Sequence, residues 1–112
     1  MKISPVAMAK ILGDEYNIKI MSATYVKPMS AQELSILFNI PIAASYRRVK
    51  ELEKVGLIKC VDRVLTRDNK RIRLYRSVLE FIQLSFSKGR ISMKIKANDM
   101  ETEDIVTNIL KK

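Results

Sequence analysis

The sequence predicts a single α+β domain, helical up to about residue 55 and built mainly of antiparallel β-strands after that point. Three observations support this prediction. The first 55 residues contain four segments with apolar side chains at helical spacing, bounded by helix start and stop signals. After Gly56 the spacing changes to the two-residue alternation of strands. The length of 112 residues, 47% of them hydrophobic, suits one modest core.

Two helices are predicted before residue 28. Ser4 can cap the first helix at its N-terminus, Pro5 suits the first helical position, and Gly13 ends the helix. Asp14 can cap the second helix, whose apolar positions recur at helical spacing until Pro28 stops it.

A third and a fourth helix follow, joined by a tight turn. The letters SAQE, beginning at Ser30, match a capping box, in which the Ser30 hydroxyl and the Glu33 carboxylate each accept a hydrogen bond from a backbone N–H. Pro41 suits the first position of the fourth helix, and Gly56 ends that helix. The predicted inward-facing side chains are Ala31, Leu34, Leu37 and Phe38 on the third helix and Ser45, Val49 and Leu52 on the fourth.

Two β-hairpins are predicted after the helices. Extended segments 57–66 and 70–78 flank a polar, turn-forming tip at 67–69, which gives a basic hairpin. In the second hairpin, strict alternation gives each strand one apolar face and one wet face. Its apolar positions are Ile82, Leu84 and Phe86 before the turn at Lys88 and Gly89, and Ile91, Met93 and Ile95 after it.

The last segment, residues 98–110, is predicted to be a terminal helix. Asn98 and Glu101 have the spacing of a second capping box, and the charges run from acidic to basic along the segment, as the helix dipole prefers. Its apolar stripe consists of Ile105, Val106, Ile109 and Leu110.

The positive charge of the chain is concentrated in one third of the sequence. Lys and Arg number 21 against 12 Asp and Glu, for a net charge of +9. Residues 43–76 contain 11 of the basic and 4 of the acidic residues, and therefore carry +7 of that charge. Such a segment favours a polyanionic partner, although a solvated basic surface is a common alternative.

Several classes of function are not expected from the composition. The chain has no histidine and one cysteine, Cys60, so we expect no disulfide, no Cys/His metal site and no other cofactor. No nucleophile with a base and no phosphate-binding loop is evident, so an enzyme is not expected either. Without an evident signal peptide or membrane span, we expect a cytoplasmic protein that binds no membrane.

A short helix, a tight turn, a second helix and a basic hairpin together predict a winged helix-turn-helix at residues 1–78, with 79–112 as an extension of the same structural domain. The segments ILGD at 11–14, MSAQEL at 29–34 and NIPIAASYRRVKELEKVGL at 39–57 resemble the ArsR-like branch of winged-helix transcription regulators. Small archaeal-type single-domain members are the nearest likeness, over roughly residues 10–78.

The resemblance implies sequence-specific binding of double-stranded DNA, with the fourth helix in the major groove. By position, the residues implied to meet the bases are Ile42, Ala43, Ala44, Tyr46, Arg47 and Lys50, with Arg48 nearer the phosphates. Arg47 has the fork geometry that recognises guanine, and alanines can meet thymine methyl groups. Helix propensity explains Ala43 and Ala44 as well, and Tyr46 can instead pack against the hairpin.

Further phosphate contacts are expected from two other places. Ser30 and Gln32 begin the third helix, where related proteins grip the backbone, although N-capping is a sufficient reason for Ser30. The hairpin, or wing, is expected to reach a phosphate or the minor groove. Its candidate residues are Arg63, Arg67, Asn69, Lys70 and Arg71. Protection of exposed strand edges is the competing explanation for these charges.

Related regulators usually dimerise, so we expect a homodimer formed through the extension or the first helix, although packing within one chain explains both apolar stripes equally well. Metal-sensing members use cysteine and histidine ligands that this chain lacks. Cys60 is expected to be a small core residue, with a redox switch as the lesser alternative. Two other functions stay open: a winged helix that serves as a protein-interaction module in transcription or RNA machinery, and an RNA or anionic-membrane binder without sequence preference.

Overall fold

A computed structural model describes residues 3–98 and 102–108. It confirms an α+β architecture in which four helices precede antiparallel strands in two small sheets. The elements are α1 (Pro5–Leu12), α2 (Glu15–Val26), α3 (Ala31–Phe38), α4 (Ile42–Lys54), β1 (Ile58–Leu65), β2 (Arg71–Ser77), β3 (Leu79–Ser87), β4 (Arg90–Ala97) and β5 (Glu103–Asn108). Within those two ranges, no helix has the length and apolar content needed to cross a membrane.

The predicted helix caps are confirmed. The Ser4 hydroxyl accepts a hydrogen bond from the Ala7 N–H at 3.1 Å, and the Asp14 carboxylate accepts one from the Asn17 N–H at 3.2 Å. In α3 both bonds of the capping box are present: the Glu33 N–H donates to the Ser30 hydroxyl at 3.0 Å, and the Ser30 N–H donates to the Glu33 carboxylate at 3.1 Å. Such caps satisfy N–H groups that have no partner inside the helix.

The boundaries of α4 differ slightly from the prediction. Pro41 is the N-cap residue, one position before the first helical residue, and Asn39 takes the left-handed conformation, with φ 53°, that reverses the chain after α3. Gly56, with φ 87°, occupies the expected position after the end of α4.

A core shared by helices and strands fixes α4. Ser45, Val49 and Leu52 face inward and are buried, as predicted. The buried Ser45 hydroxyl donates to the backbone carbonyl of Ala31 at 2.7 Å, which ties α4 to the first turn of α3. Leu37, in contrast, is exposed, so its predicted place in the apolar face of α3 is wrong. The buried apolar side chains of this core include Met8, Ile20, Leu34, Val49, Leu52, Leu57, Ile58, Met93 and Ile95.

The first hairpin pairs β1 with β2, with a bulge between Cys60 and Asp62. Its base is anchored by Met29, which exchanges two backbone hydrogen bonds with Tyr75, at 3.0 and 2.8 Å. At the tip, Asn69 adopts φ 59° and its N–H donates to the Thr66 carbonyl at 3.0 Å. The predicted strand–tip–strand pattern is therefore confirmed.

The second sheet has the order β3-β4-β5. Its first two strands pair in the predicted hairpin, and positive φ angles at Lys88 (53°) and Gly89 (75°) form the two-residue turn. The apolar residues meet across the strands in the pairs Ile82 with Ile95, Leu84 with Met93 and Phe86 with Ile91.

The predicted terminal helix is wrong. Residues 103–108 form strand β5, which pairs antiparallel with β4 and places Ile105 opposite Met93. Ile105, Val106 and Thr107 are consecutive β-branched residues, which favour strands, and the free edge of β4 supplies the pairing that a helix would not use. Asn98 lies in a turn instead of at a helix start. Glu101, Ile109 and Leu110, which completed the predicted capping box and stripe, lie outside the described residues.

Candidate nucleic-acid interface

One face of α4 points away from the core and carries most of the side chains predicted to read bases. Ala43, Tyr46, Arg47 and Lys50 are spaced three and four residues apart, and all four are exposed. We call these four residues the outer face of α4. Ile42, in the first turn, is also exposed.

Ala44 and Arg48 lie on a flank of α4 that packs against the protein. Ala44 is half-buried and contacts the core. The Arg48 guanidinium bonds the Asp14 carboxylate twice, with Nη2 at 2.7 Å and Nε at 3.0 Å from Oδ2, and lies over the Tyr16 ring at 5.8 Å. Arg48 is therefore used to hold α4 against the start of α2, and its predicted role near phosphates gains no support from this geometry.

The ion pair also changes the acidity of Asp14. The hydrogen bond from Arg48 favours the charged carboxylate, as do the Asn17 N–H and the positive charge of the guanidinium, and together these outweigh partial burial to hold the pKa of Asp14 below its ordinary value. Asp14 thus caps α2 and anchors α4 with the same carboxylate.

The two candidates at the start of α3 have different surroundings. The Ser30 side chain is 1% exposed and its hydroxyl is engaged in the capping box, so burial prevents a phosphate contact and the alternative role as N-cap is the one that the geometry supports. Gln32 is half-buried and lines the cleft described next.

A cleft of about 250 Å³ separates α4 from β2. It brings together residues predicted at three separate places: Gln32 at the start of α3, Tyr46 and Lys50 on α4, and Arg71 of the hairpin. Its lining consists of Ala31, Gln32, Tyr46, Val49, Lys50, Arg71, Ile72, Arg73 and Tyr75. Within the part of the chain that the structure describes, Lys50, Arg71 and Arg73 form no ion pair with a carboxylate.

Arg73 and Tyr75 are members of this cleft that the sequence analysis missed. The sequence does contain a pattern that predicts them. Side chains two residues apart in a strand share a face, and the spacing of Arg71, Arg73 and Tyr75 therefore places all three on one face of β2.

The hairpin presents an arginine-rich face. Arg63 of β1 lies directly opposite Arg73 of β2, and Arg71 is the next residue but one on that face. Like charges directly opposite each other destabilise a strand pair. The hairpin therefore concentrates positive charge on the face whose Arg71 and Arg73 line the cleft.

The remaining candidates lie at the hairpin tip, outside the cleft. Arg67, Asn69 and Lys70 are exposed, and the Lys70 N–H donates to the Thr66 hydroxyl at 3.2 Å. Asn69 has a conformational reason for its place, since its left-handed backbone is one that asparagine tolerates well.

Tyr75 forms the floor of the cleft and is 5% exposed. Burial raises the pKa of its phenol above 10, the nearby Glu53 carboxylate adds to the increase, and Arg73 opposes it. Tyr75 is therefore neutral at physiological pH and keeps a hydroxyl that can donate or accept a hydrogen bond.

The site offers cations, hydroxyl groups and small side chains, a set that suits a polyanion. In the described ranges, no group of three or more Cys, Asp or Glu side chains has the arrangement of a metal site. No protein-family model matches the chain, and no curated protein matches it. The ArsR-like resemblance of the α3–α4 region therefore stays a prediction.

Proposed function

We propose that this protein is a sequence-specific regulator that binds double-stranded DNA as a homodimer, with α4 in the major groove and the β1–β2 hairpin as a wing on the adjacent backbone. In this proposal the four helices and the first hairpin form a winged helix-turn-helix of the ArsR-like branch. The observation that carries it is the cleft, in which Tyr46 and Lys50 of the outer face of α4 adjoin Arg71 and Arg73 of the wing. Within the described ranges these three cations form no ion pair with a carboxylate.

The proposed division of labour follows from side-chain type. Arg47 donates two hydrogen bonds to a guanine edge, and Ala43, at the start of the helix, lets the backbone approach and meets a thymine methyl group. Ile42 adds apolar contact, while Lys50 and Tyr46 lie at the groove edge.

The wing supplies affinity through phosphates. Arg63, Arg71 and Arg73 share the face of the hairpin that borders the cleft. The sugar-phosphate backbone of one DNA strand can lie between these arginines and Lys50. Arg67 and Lys70, at the tip, are placed to reach further along the backbone or into the minor groove.

The test begins with in-vitro selection of duplex sites from a random pool, followed by binding measurements across a salt series. We expect an enriched consensus and a log K that falls linearly with log salt, by about 0.9 for each phosphate contact. A flat salt response would exclude DNA binding of this kind.

Variants then separate the two roles. Arg47→Ala should weaken binding to the consensus by about 1–3 kcal/mol and relax the base preference, whereas Arg71→Ala should weaken all sequences alike and lower the salt slope by about 1. Arg90→Ala is the matched control. Arg90 is an exposed arginine in the second sheet, so this substitution removes the same charge outside the cleft. An Arg47→Ala protein that binds the consensus like wild type contradicts the placement of α4.

A second candidate is a winged helix that serves as a protein-interaction module. The observation in its favour is an apolar pair on α3, since Ile36 is 83% exposed and Leu37 is also exposed. If selection yields no consensus and the salt response is flat, the variants Ile36→Ser and Arg47→Ala are compared in a partner-binding assay. Loss of binding in Ile36→Ser but not in Arg47→Ala would assign the interaction to the exposed apolar pair on α3 instead of the outer face of α4.

A further inference from the structure

Strand β3 has an unusual free edge. In a chain with 29% charged residues, the seven residues 81–87, FIQLSFS, carry no charge. Within the described part of the chain β3 pairs only with β4, and its other edge has no strand beside it. Free edges are normally protected by charged residues or proline, because unpaired N–H and C=O groups recruit another strand.

The side chains of this strand show the same lack of cover. Ile82, Leu84 and Phe86 share one face, and the first two are half-buried against the core. Phe86 continues that face but is 68% exposed. The exposed ring extends this apolar row beside the uncharged, unpaired edge, where an added strand would cover it.

We propose that a second copy of this chain covers it, by antiparallel pairing of β3 with β3 about a two-fold axis at Leu84. In this register Phe86 of each copy lies opposite Ile82 of the other, so both exposed rings become buried on the core side of a continuous six-stranded sheet. On the wet face Gln83 lies opposite Ser85 of the second copy, which brings no charge against another.

Charge favours a second copy at this strand. Two chains of +9 repel each other, most strongly around residues 43–76, which carry +7 of that charge. Residues 81–87 lie outside that segment and form an edge where self-pairing meets no like charge. Among the described residues the other outer strand of this sheet is β5, which begins with Glu103 and Asp104, charged residues of the kind that protect an edge from pairing. A two-fold pairing also uses β3 of both chains and therefore closes as a dimer instead of growing into a fibre.

This inference rests on the homodimer of the proposed function and names its interface, which uses neither α4 nor the wing. Its experiment contains no DNA, so the outcomes are distinguishable: a monomeric chain removes the homodimer, whereas DNA contact by α4 and the wing is tested by the site selection and the salt series. Sedimentation velocity over a concentration series, in about 0.5 M salt to screen the net charge, should show a monomer–dimer equilibrium for the wild-type chain.

Phe86→Lys should raise the dimer dissociation constant by about 100-fold or more, because each dimer loses two buried rings. Val26→Lys is the matched control: Val26 is 76% exposed on α2, so the variant makes the same kind of change away from β3, and its dissociation constant should equal that of wild type. Phe86 and Val26 are both largely exposed, so both variants should fold, which circular dichroism checks.

Disulfide trapping tests the register. In a Cys60→Ser background, Gln83→Cys mixed with Ser85→Cys should cross-link into heterodimers, because directly opposite Cβ atoms lie about 4.5–5.5 Å apart. Either variant alone should not cross-link, since its own copies are diagonal neighbours about 7–8 Å apart.

Three results would overturn the proposal. A wild-type chain that stays monomeric at about 100 µM has no such interface of useful affinity. Equal dissociation constants for Phe86→Lys and wild type place the interface elsewhere. Species that grow beyond the dimer with concentration indicate head-to-tail pairing, such as β3 on β5, instead of a two-fold axis.

Discussion

Arg47 and Arg48 are adjacent residues of one type on one helix, and the structure places them in different surroundings. Arg47 is exposed on the outer face of α4. Arg48 is bound to Asp14 through two nitrogen atoms and lies over Tyr16. We therefore predict that Arg48→Ala lowers the stability of the protein, whereas Arg47→Ala leaves it unchanged. For DNA affinity we predict the opposite pattern: Arg47→Ala weakens binding and Arg48→Ala does not.

The size of the Arg48 effect follows from its burial. Hydrogen bonds to charged groups contribute about 1.5–3 kcal/mol when well shielded, and exposed ion pairs contribute about 0–1 kcal/mol. The side chains of Arg48 and Asp14 are 19% and 28% exposed, between these limits. We expect Arg48→Ala to lower the free energy of unfolding by about 1–2 kcal/mol, which for a chain of this size lowers the Tm by roughly 4 °C per kcal/mol.

The pH dependence gives the same prediction an independent check. Because the pKa of Asp14 is lowered in the folded state, the ion pair contributes stability at pH values above the unfolded pKa of about 3.9 and loses it as the pH falls through the folded pKa. The Tm difference between wild type and Arg48→Ala, followed by circular dichroism, should be full at pH 7 and close toward pH 3 and below. An unchanged Tm for Arg48→Ala at pH 7, or an equal loss for Arg47→Ala, would refute this assignment.

Three further predictions concern the cap and the hairpin. Ser30→Ala should lower the free energy of unfolding by about 1 kcal/mol in urea titrations, through loss of the cap, and leave the salt slope of DNA binding unchanged; a smaller slope would return Ser30 to the interface. Above pH 10 the unfolded chain releases the Tyr75 proton while the folded chain retains it, so stability should fall more steeply with pH in wild type than in Tyr75→Phe; parallel curves would contradict the buried phenol. Arg63→Thr should raise the Tm slightly in low salt, because it removes the charge opposite Arg73, and weaken DNA binding at every sequence; a lower Tm would show that the two arginines do not repel.

Structure governed by neighbouring residues was predicted well from the sequence. The caps at Ser4, Asp14 and Ser30 involve partners three residues away, so the nearby sequence is sufficient to predict them. The turn at Lys88 and Gly89 is local in the same way, because two adjacent residues form it, and it fixes the register of the strands on either side.

Structure governed by distant residues was not predictable in the same way. The ion pair of Arg48 depends on Asp14, 34 positions earlier, and nothing in the local spacing separates Arg48 from Arg47. The tail became a strand because β4 offered a free edge, while Ile105 and Val106 fit a helix stripe and a strand equally well when read alone. The cleft depends on which face of β2 meets α4, and this orientation is a property of the packed domain.

The two halves of the proposed interface are held by different means, and this difference predicts how each half acts. α4 is fixed on its inner and flanking sides by Ser45, Arg48 and the buried Val49. In the proposed function we therefore expect its outer face to meet DNA without rearrangement and to discriminate between bases. The hairpin is anchored at its base by Tyr75, and nearly all side chains between residues 61 and 71 are exposed. A segment with few packed contacts adapts to the path of a phosphate backbone. Changes on α4 should therefore alter the ranking of sequences, and changes in the outer half of the hairpin should shift the affinity for all of them together.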